Sequence, residues 1–261
     1  MKKMSFAKLK SIRLDDPVFS NRQEQLRKVT LPSVIAKTEE TGRIDAFSLS
    51  WKEGMEKKPH YYWDSDVAKV MEGIAYTLAL REDKELEKLY DNWVEKICSA
   101  QQEDGYLNSC VTTLEPEKRF ANLTLNHELY CAGHLMEAAV AGYEELGKTK
   151  LLDCLCRYAD YIAGYFGKEE GKKRGWPGHE EVELALPVVT HNEGVDVVHL
   201  YVGYLLLPVF LGNYEVNVSN SLKKLFSLLV GEVALFLLHI PVEFVGRENY
   251  DQIIAELLCS F

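Results

Sequence analysis

With 261 residues, 47% of them hydrophobic, the chain has enough apolar surface to pack one large domain or two small ones, which excludes a disordered protein. Its net charge is −10 and its 30 basic residues are scattered among 40 acidic ones, which argues against a nucleic-acid partner, because neutralising phosphates takes clustered Lys and Arg. Six cysteines with no C-x-x-C pair are too few for a disulfide scaffold and read as reduced thiols in a cytoplasmic setting, and no apolar run of signal-peptide length follows Met1-Lys2-Lys3-Met4-Ser5.

Residues 5 to 50 read as mostly irregular, with a short strand near Phe6 to Leu14, a helix from Arg22 to Lys37 that Pro32 kinks, and a turn at Thr41-Gly42-Arg43-Ile44-Asp45. From Asp64 to Arg81 the apolar residues Val67, Val70, Met71, Ile74, Ala75 and Leu78 keep helical spacing, with Asp64 or Ser65 placed as N-cap. Leu86, Leu89, Trp93, Val94 and Ile97 carry a second helix that ends before the turn at Asp104-Gly105. Leu107 to Phe120 reads as a loop. Leu125 to Leu146 and Lys150 to Phe166 then form a second helical pair, and a third inner helix is expected to begin at Gly178-His179.

The two pairs are one pattern used twice. At an offset of 65 residues, Met71-Glu72 falls on Met136-Glu137, Leu86 on Leu151, Trp93 on Tyr158 and Ile97 on Ile162, which is the signature of stacked helical hairpins in an all-α fold. Near the helix ends lie Tyr62-Trp63-Asp64-Ser65-Asp66, Asp104-Gly105-Tyr106-Leu107, Asn126-His127-Glu128 and Gly175-Trp176-Pro177-Gly178-His179-Glu180-Glu181. Side-by-side packing would gather them on one rim. The expected binding residues are therefore His127, His179, Trp63, Asp64, Asp104, Tyr106, Glu128 and Glu180, with no catalytic residue assigned. A histidine beside a carboxylate can hydrogen-bond sugar hydroxyls or tune proton transfer, and Trp63, Tyr106 and Trp176 offer faces for a sugar ring. The same residue types also serve as helix caps and core aromatics.

His127, Cys131 and His134 lie at i, i+4 and i+7 on one helix face and so are conceivable zinc ligands, but no fourth ligand is evident and core packing accounts for Cys131 and His134. No metal is assigned. At Pro187 the character changes: residues 1–186 hold 59 charged side chains and residues 187–261 hold 11. Leu225 to Val242 is nearly long and apolar enough to span a membrane, but Glu232 near its middle opposes insertion.

Thr41-Gly42-Arg43-Ile44-Asp45-Ala46-Phe47, Trp63-Asp64-Ser65-Asp66-Val67-Ala68-Lys69, Gln101-Gln102-Glu103-Asp104-Gly105-Tyr106-Leu107-Asn108, Asn126-His127-Glu128-Leu129-Tyr130-Cys131-Ala132-Gly133-His134 and Gly178-His179-Glu180-Glu181-Val182-Glu183-Leu184 together resemble glycoside hydrolase family 127, the β-L-arabinofuranosidase-like enzymes. The resemblance implies that residues 1–186 are the N-terminal portion of an (α/α)6 toroid, preceded by a short irregular or β segment, and that residues 187–261 form a divergent apolar tail of frameshift or deletion origin. It implies hydrolysis of terminal L-arabinofuranosides, with His127 and His179 matching sugar-contacting histidines. It also implies a zinc-bound cysteine nucleophile and a glutamate acid/base from a later Glu-x-Cys and Cys-Cys region, which is not found in this sequence. Two readings follow, an enzyme of arabinofuranosidase type that is active if a partner chain supplies the rest, and a truncated non-catalytic remnant that at most binds sugar; either has no cofactor of its own, a small carbohydrate as partner, and self-association through uncovered helix faces.

Overall fold

A hydrophobic period of 3.6 residues repeated over four long segments leaves one economical solution, helices packed in pairs, and that is what the chain adopts. The structure is a computed structural model that describes residues 9–13, 15–167, 169–179, 181, 182 and 185. Among the described residues there is no strand, only an isolated bridge between Phe166 and Lys173. The stretch 187–261, with its near-membrane-length apolar segment, lies outside the described residues, and no helix among those described is long and apolar enough to cross a membrane.

The strand expected near residue 10 is not there: Leu9–Ser11 is a single 3-10 turn, and residues 6–8 and 14 lie outside the described residues. α1 (Pro17–Gln25) begins where the Asp16 carboxylate accepts the Val18 and Phe19 amides at 2.8 and 3.1 Å. It runs through a π turn, Leu26–Thr30, into α2 (Leu31–Glu40). Pro32 does not break this helix. Proline has no amide to give and its ring crowds the preceding turn, so the helix widens there, with the Leu31 amide reaching back five residues to the Leu26 carbonyl.

α3 (Trp63–Leu80) and α4 (Lys84–Ser99) form the first hairpin, and α6 (Glu128–Leu146) and α7 (Lys150–Tyr165) the second. The inner helices start at Trp63 and Glu128, which preserves the 65-residue offset. α3 packs along α6, and α4 and α7 cover them from outside. Ala68, Ala75, Ala132, Gly133, Ala138 and Ala139 are buried along the inner helices, where small side chains allow close approach. Val67, Met71, Ile74, Leu135 and Met136 fill the remaining space, each contributing about 1.5–3 kcal/mol by leaving water. The outer helices are amphipathic and turn Trp93, Ile97, Tyr158 and Ile162 inward.

Two local expectations need correction. The 107–120 segment is not simply a loop, since it holds α5 (Ser109–Leu114), capped by the Asn108 side-chain Oδ1, which accepts the Val111 amide at 2.9 Å, and a 3-10 turn at Pro116–Lys118. Neither Asp64 nor Ser65 is the cap of α3; both lie inside its first turn, and Asp64 serves a different segment. The third inner helix is described only at Glu181, Val182 and Ala185, which are helical.

Candidate functional site

Consecutive residues on a helix point about 100° apart, so neighbours at a helix start go to opposite environments. The N-terminus of α6 shows the consequence. Glu128 turns inward and is buried, its carboxylate accepting the Tyr106 hydroxyl at 2.5 Å and the Phe120 amide at 2.9 Å on both oxygens. His127 turns outward and is half-buried.

Three of the expected binding residues are interior. Asp64 is fully enclosed and accepts both the amide (2.8 Å) and the hydroxyl of Ser109, tying α3 to the start of α5. Burial pushes its carboxyl up to about 6, against those two hydrogen bonds, which pull it down. Tyr106 is buried at 0% exposure between Phe120, Tyr158 and Tyr161, with the Arg119 guanidinium 4.2 Å from its ring centroid. Burial also raises the Glu128 carboxyl above the usual carboxylate range. These groups lock the 100–127 segment onto the hairpins. An open-rim reading places α3 and α6 to within a few residues of their starts, Trp63 and Glu128, but sends these side chains outward where the structure turns them in.

Asp104 is more open, pairing with Arg119 and accepting the Tyr106 amide at 3.2 Å. Trp63 is half-buried beneath Arg43, whose Nε binds Asp66 at 2.8 Å. Trp176 is 39% exposed, and Glu180 lies outside the described residues.

His127 and His179 do come together, around a residue the sequence reading passed over. The Tyr130 ring lies 5.7 Å from the His127 ring, 4.8 Å from that of His179 and 4.6 Å from that of His134, all edge-on. Lys69 of α3 donates to the Tyr130 hydroxyl at 2.7 Å and sits 4.8 Å from its ring centroid. Tyr62 closes the other side of His127 at 4.7 Å, with His60 4.8 Å beyond. The signal for Tyr130 was in the sequence, since it lies three residues after His127 and four before His134, the spacing of helix neighbours.

His127 is held in a specific way. Its backbone is left-handed, φ 53°, and its Nδ1 lies 2.9 Å from the Leu125 carbonyl. A carbonyl only accepts, so Nδ1 is the donor of this pair and Nε2 is the ring nitrogen left for a ligand. An imidazole fixed at one nitrogen beside aromatic edges suits a polyhydroxylated ligand: it accepts a hydroxyl while the rings cover apolar C–H groups.

The zinc centre implied by the resemblance needs several converging thiolates; among the described residues Cys98 and Cys154 share a hydrogen bond, while Cys110 and Cys131 go to separate backbone carbonyls. Cys131 donates to the Tyr61 carbonyl at 3.1 Å, Cys110 to that of Pro59 at 3.6 Å and Cys98 to that of Lys150 at 3.8 Å. Burial raises the Cys131 and Cys110 thiols, the latter to about 12, where a thiolate nucleophile is disfavoured. His127, Cys131 and His134 also diverge to separate partners, despite sharing a face.

Known proteins resemble this chain. The catalytic-domain model of the GH127 β-L-arabinofuranosidases matches residues 11–201. A non-reducing end β-L-arabinofuranosidase from Bifidobacterium longum is 42% identical over 139 residues, 51% of this chain and 21% of that protein. The crystal structure of a GH127 β-L-arabinofuranosidase from Geobacillus stearothermophilus T6 superposes with a TM-score of 0.70 at 39% identity, covering 74% of this chain and 32% of that one. A second GH127 β-arabinofuranosidase structure gives 0.68 at 32% identity with the same coverage. The chain thus spans about a third or less of these relatives. On its matched residues, its helical hairpins and its sequence identity, the chain belongs to the GH127 β-L-arabinofuranosidase family.

Proposed function

We propose that this chain binds a terminal L-arabinofuranosyl unit at the rim formed by His127, His179, Tyr130 and Tyr62, as part of a glycoside hydrolase of β-L-arabinofuranosidase type in a cytoplasmic setting. One observation carries the reading: the two histidines singled out by the family resemblance flank a single tyrosine ring, and one of them is fixed through Nδ1, leaving Nε2 to meet a hydroxyl. The buried carboxylates Asp64 and Glu128 hold the scaffold under that rim. Trp63, Asp104 and Trp176 are its outer contacts, if the sugar carries an extended aglycone.

Cleavage is a separate matter. Burial raises the Cys110 and Cys131 thiols, and Cys154, whose thiol is lowered by its hydrogen bond with Cys98, is itself buried, which favours a binding role without hydrolysis for the chain acting alone. An aryl β-L-arabinofuranoside, with zinc and reductant present, tests both parts. The expected outcome is saturable binding with no release of the aryl group, and binding lost in His127→Ala. Release that depends on His127 would establish a hydrolase, and absence of binding would remove the sugar assignment.

A further inference from the structure

His134 also lies against the Tyr130 ring, and its Nδ1 faces two carboxylates at once: Glu181 Oε1 at 3.0 Å and Glu137 Oε2 at 3.3 Å. The cluster is sheltered, with the side chains of His134 and Glu181 each 13% exposed and that of Glu137 25%. Glu137 follows His134 on the same helix face. Glu181 arrives from the segment after His179, and its approach is permitted by Gly133, where a Cβ would lie 2.8 Å from Glu181 Cγ and 2.9 Å from its carbonyl carbon.

Nδ1 can offer one proton or one lone pair, so it cannot make two full hydrogen bonds to two carboxylates. The carboxyls crowd one another: burial and then a hydrogen bond to Glu137 push the Glu181 carboxyl up to about 7. Lys69, the fixed cation that lowers both, directs its ammonium to the Tyr130 hydroxyl. One nitrogen and two oxygens therefore converge without a cation between them. Both oxygens stand off Nδ1 at the spacing of neighbouring ligands on one metal, where bonds of about 2.1 Å at tetrahedral to right angles set ligand atoms roughly 3.0–3.4 Å apart, and all three ligand atoms lie within 4.8 Å of one another.

We propose that His134, Glu137 and Glu181 bind a divalent cation of the zinc class, with water completing the coordination shell. The donor set is nitrogen and oxygen without thiolate, so it is distinct from the cysteine-bound zinc that the family implies. The ion would clamp the segment bearing His179 to α6, and the proposal stands whether or not the rim binds sugar. The test is titration of the chelator-treated, reduced full chain with Co2+, followed by visible absorption and calorimetry. One Co2+ per chain is expected, with ligand-field bands, no thiolate charge-transfer band, and displacement by Zn2+. His134→Ala and Glu181→Gln should each weaken binding about tenfold or more with the far-UV circular dichroism unchanged. Glu137→Gln, which keeps the side-chain shape, gives the same reading should His134→Ala fail to fold. Equal affinity in wild type and variants, a thiolate band, or no binding to the wild type would each overturn the site.

Discussion

The two hairpins share a skeleton and differ at their rims. At equivalent positions the outer helices bury Trp93 and Tyr158, then Ile97 and Ile162, so the repeat survives wherever it faces the core. On the rim the pairs diverge: Tyr62 matches His127, Ser65 matches Tyr130, Lys69 matches His134 and Ala68 matches Gly133. The first hairpin thus presents a fixed charge and a closed backbone. The second presents imidazoles and a glycine that admits the next segment. Packing constrains the shared positions because a volume change in a filled interior costs several kcal/mol, whereas rim positions are free to acquire chemistry.

The sharpest way to break this comparison is at the helix starts. Glu128→Ala should cost about 3–5 kcal/mol in urea unfolding, since the buried Tyr106 hydroxyl and Phe120 amide both lose their acceptor. The matching position in the first hairpin is Trp63, half-buried at the surface, where Ala should cost only about 1 kcal/mol. Similar losses at the two sites would show that Glu128 is not an interior anchor.

Asp64 separates the hairpins by pH. Its carboxyl is raised to about 6 in the folded state, above its unfolded value near 3.8, so the folded state holds the proton more tightly. The associated stability is fully present below pH ~4 and is lost as pH rises through ~6, an effect on the order of 2–3 kcal/mol. Relative to Asp64→Asn, which does not titrate, the wild type should become steadily less stable from pH 4 to 6 in denaturant melts. A constant gap over that range would mean that Asp64 is solvated.

Gly133→Ala sharpens the contrast with Ala68. Ala is the better helix former by about 1 kcal/mol, yet here its Cβ would meet the backbone of Glu181, so a net loss of about 1–3 kcal/mol is expected in thermal or urea unfolding. A stabilised variant would show that Glu181 does not approach α6. The smallest effect belongs to His127→Gly, which relieves a left-handed backbone at φ 53° but removes the Nδ1 bond to Leu125, leaving stability within about 1 kcal/mol of wild type while abolishing sugar binding.

The sequence carries the hairpins clearly, because Val67, Met71, Ile74 and Leu78, like Leu135, Met136 and Ala139, repeat at helical spacing and are all buried. It carries α5 weakly, since six residues are too few for a period and only the Asn108 cap announces them. The rim was legible as a place but not as a list of side chains. Asp64 and Glu128 read as rim carboxylates because they lie near helix starts, whereas their inward direction depends on Ser109, Tyr106 and Phe120, which come from a distant segment. The meeting of Glu181 with His134 depends on a contact across 47 positions and has no local signal.

The central claim is that the His127 and His179 imidazoles, joined through Tyr130, receive one sugar. Nitrogen chemical shifts of the histidine side chains, followed while methyl β-L-arabinofuranoside is titrated into the full chain, test it most directly. The account predicts that Nε2 of His127 and the ring of His179 shift together along one saturation curve while the buried Glu128 and Tyr106 environment stays unchanged. Saturable shifts confined to other histidines, or none at all, would contradict it.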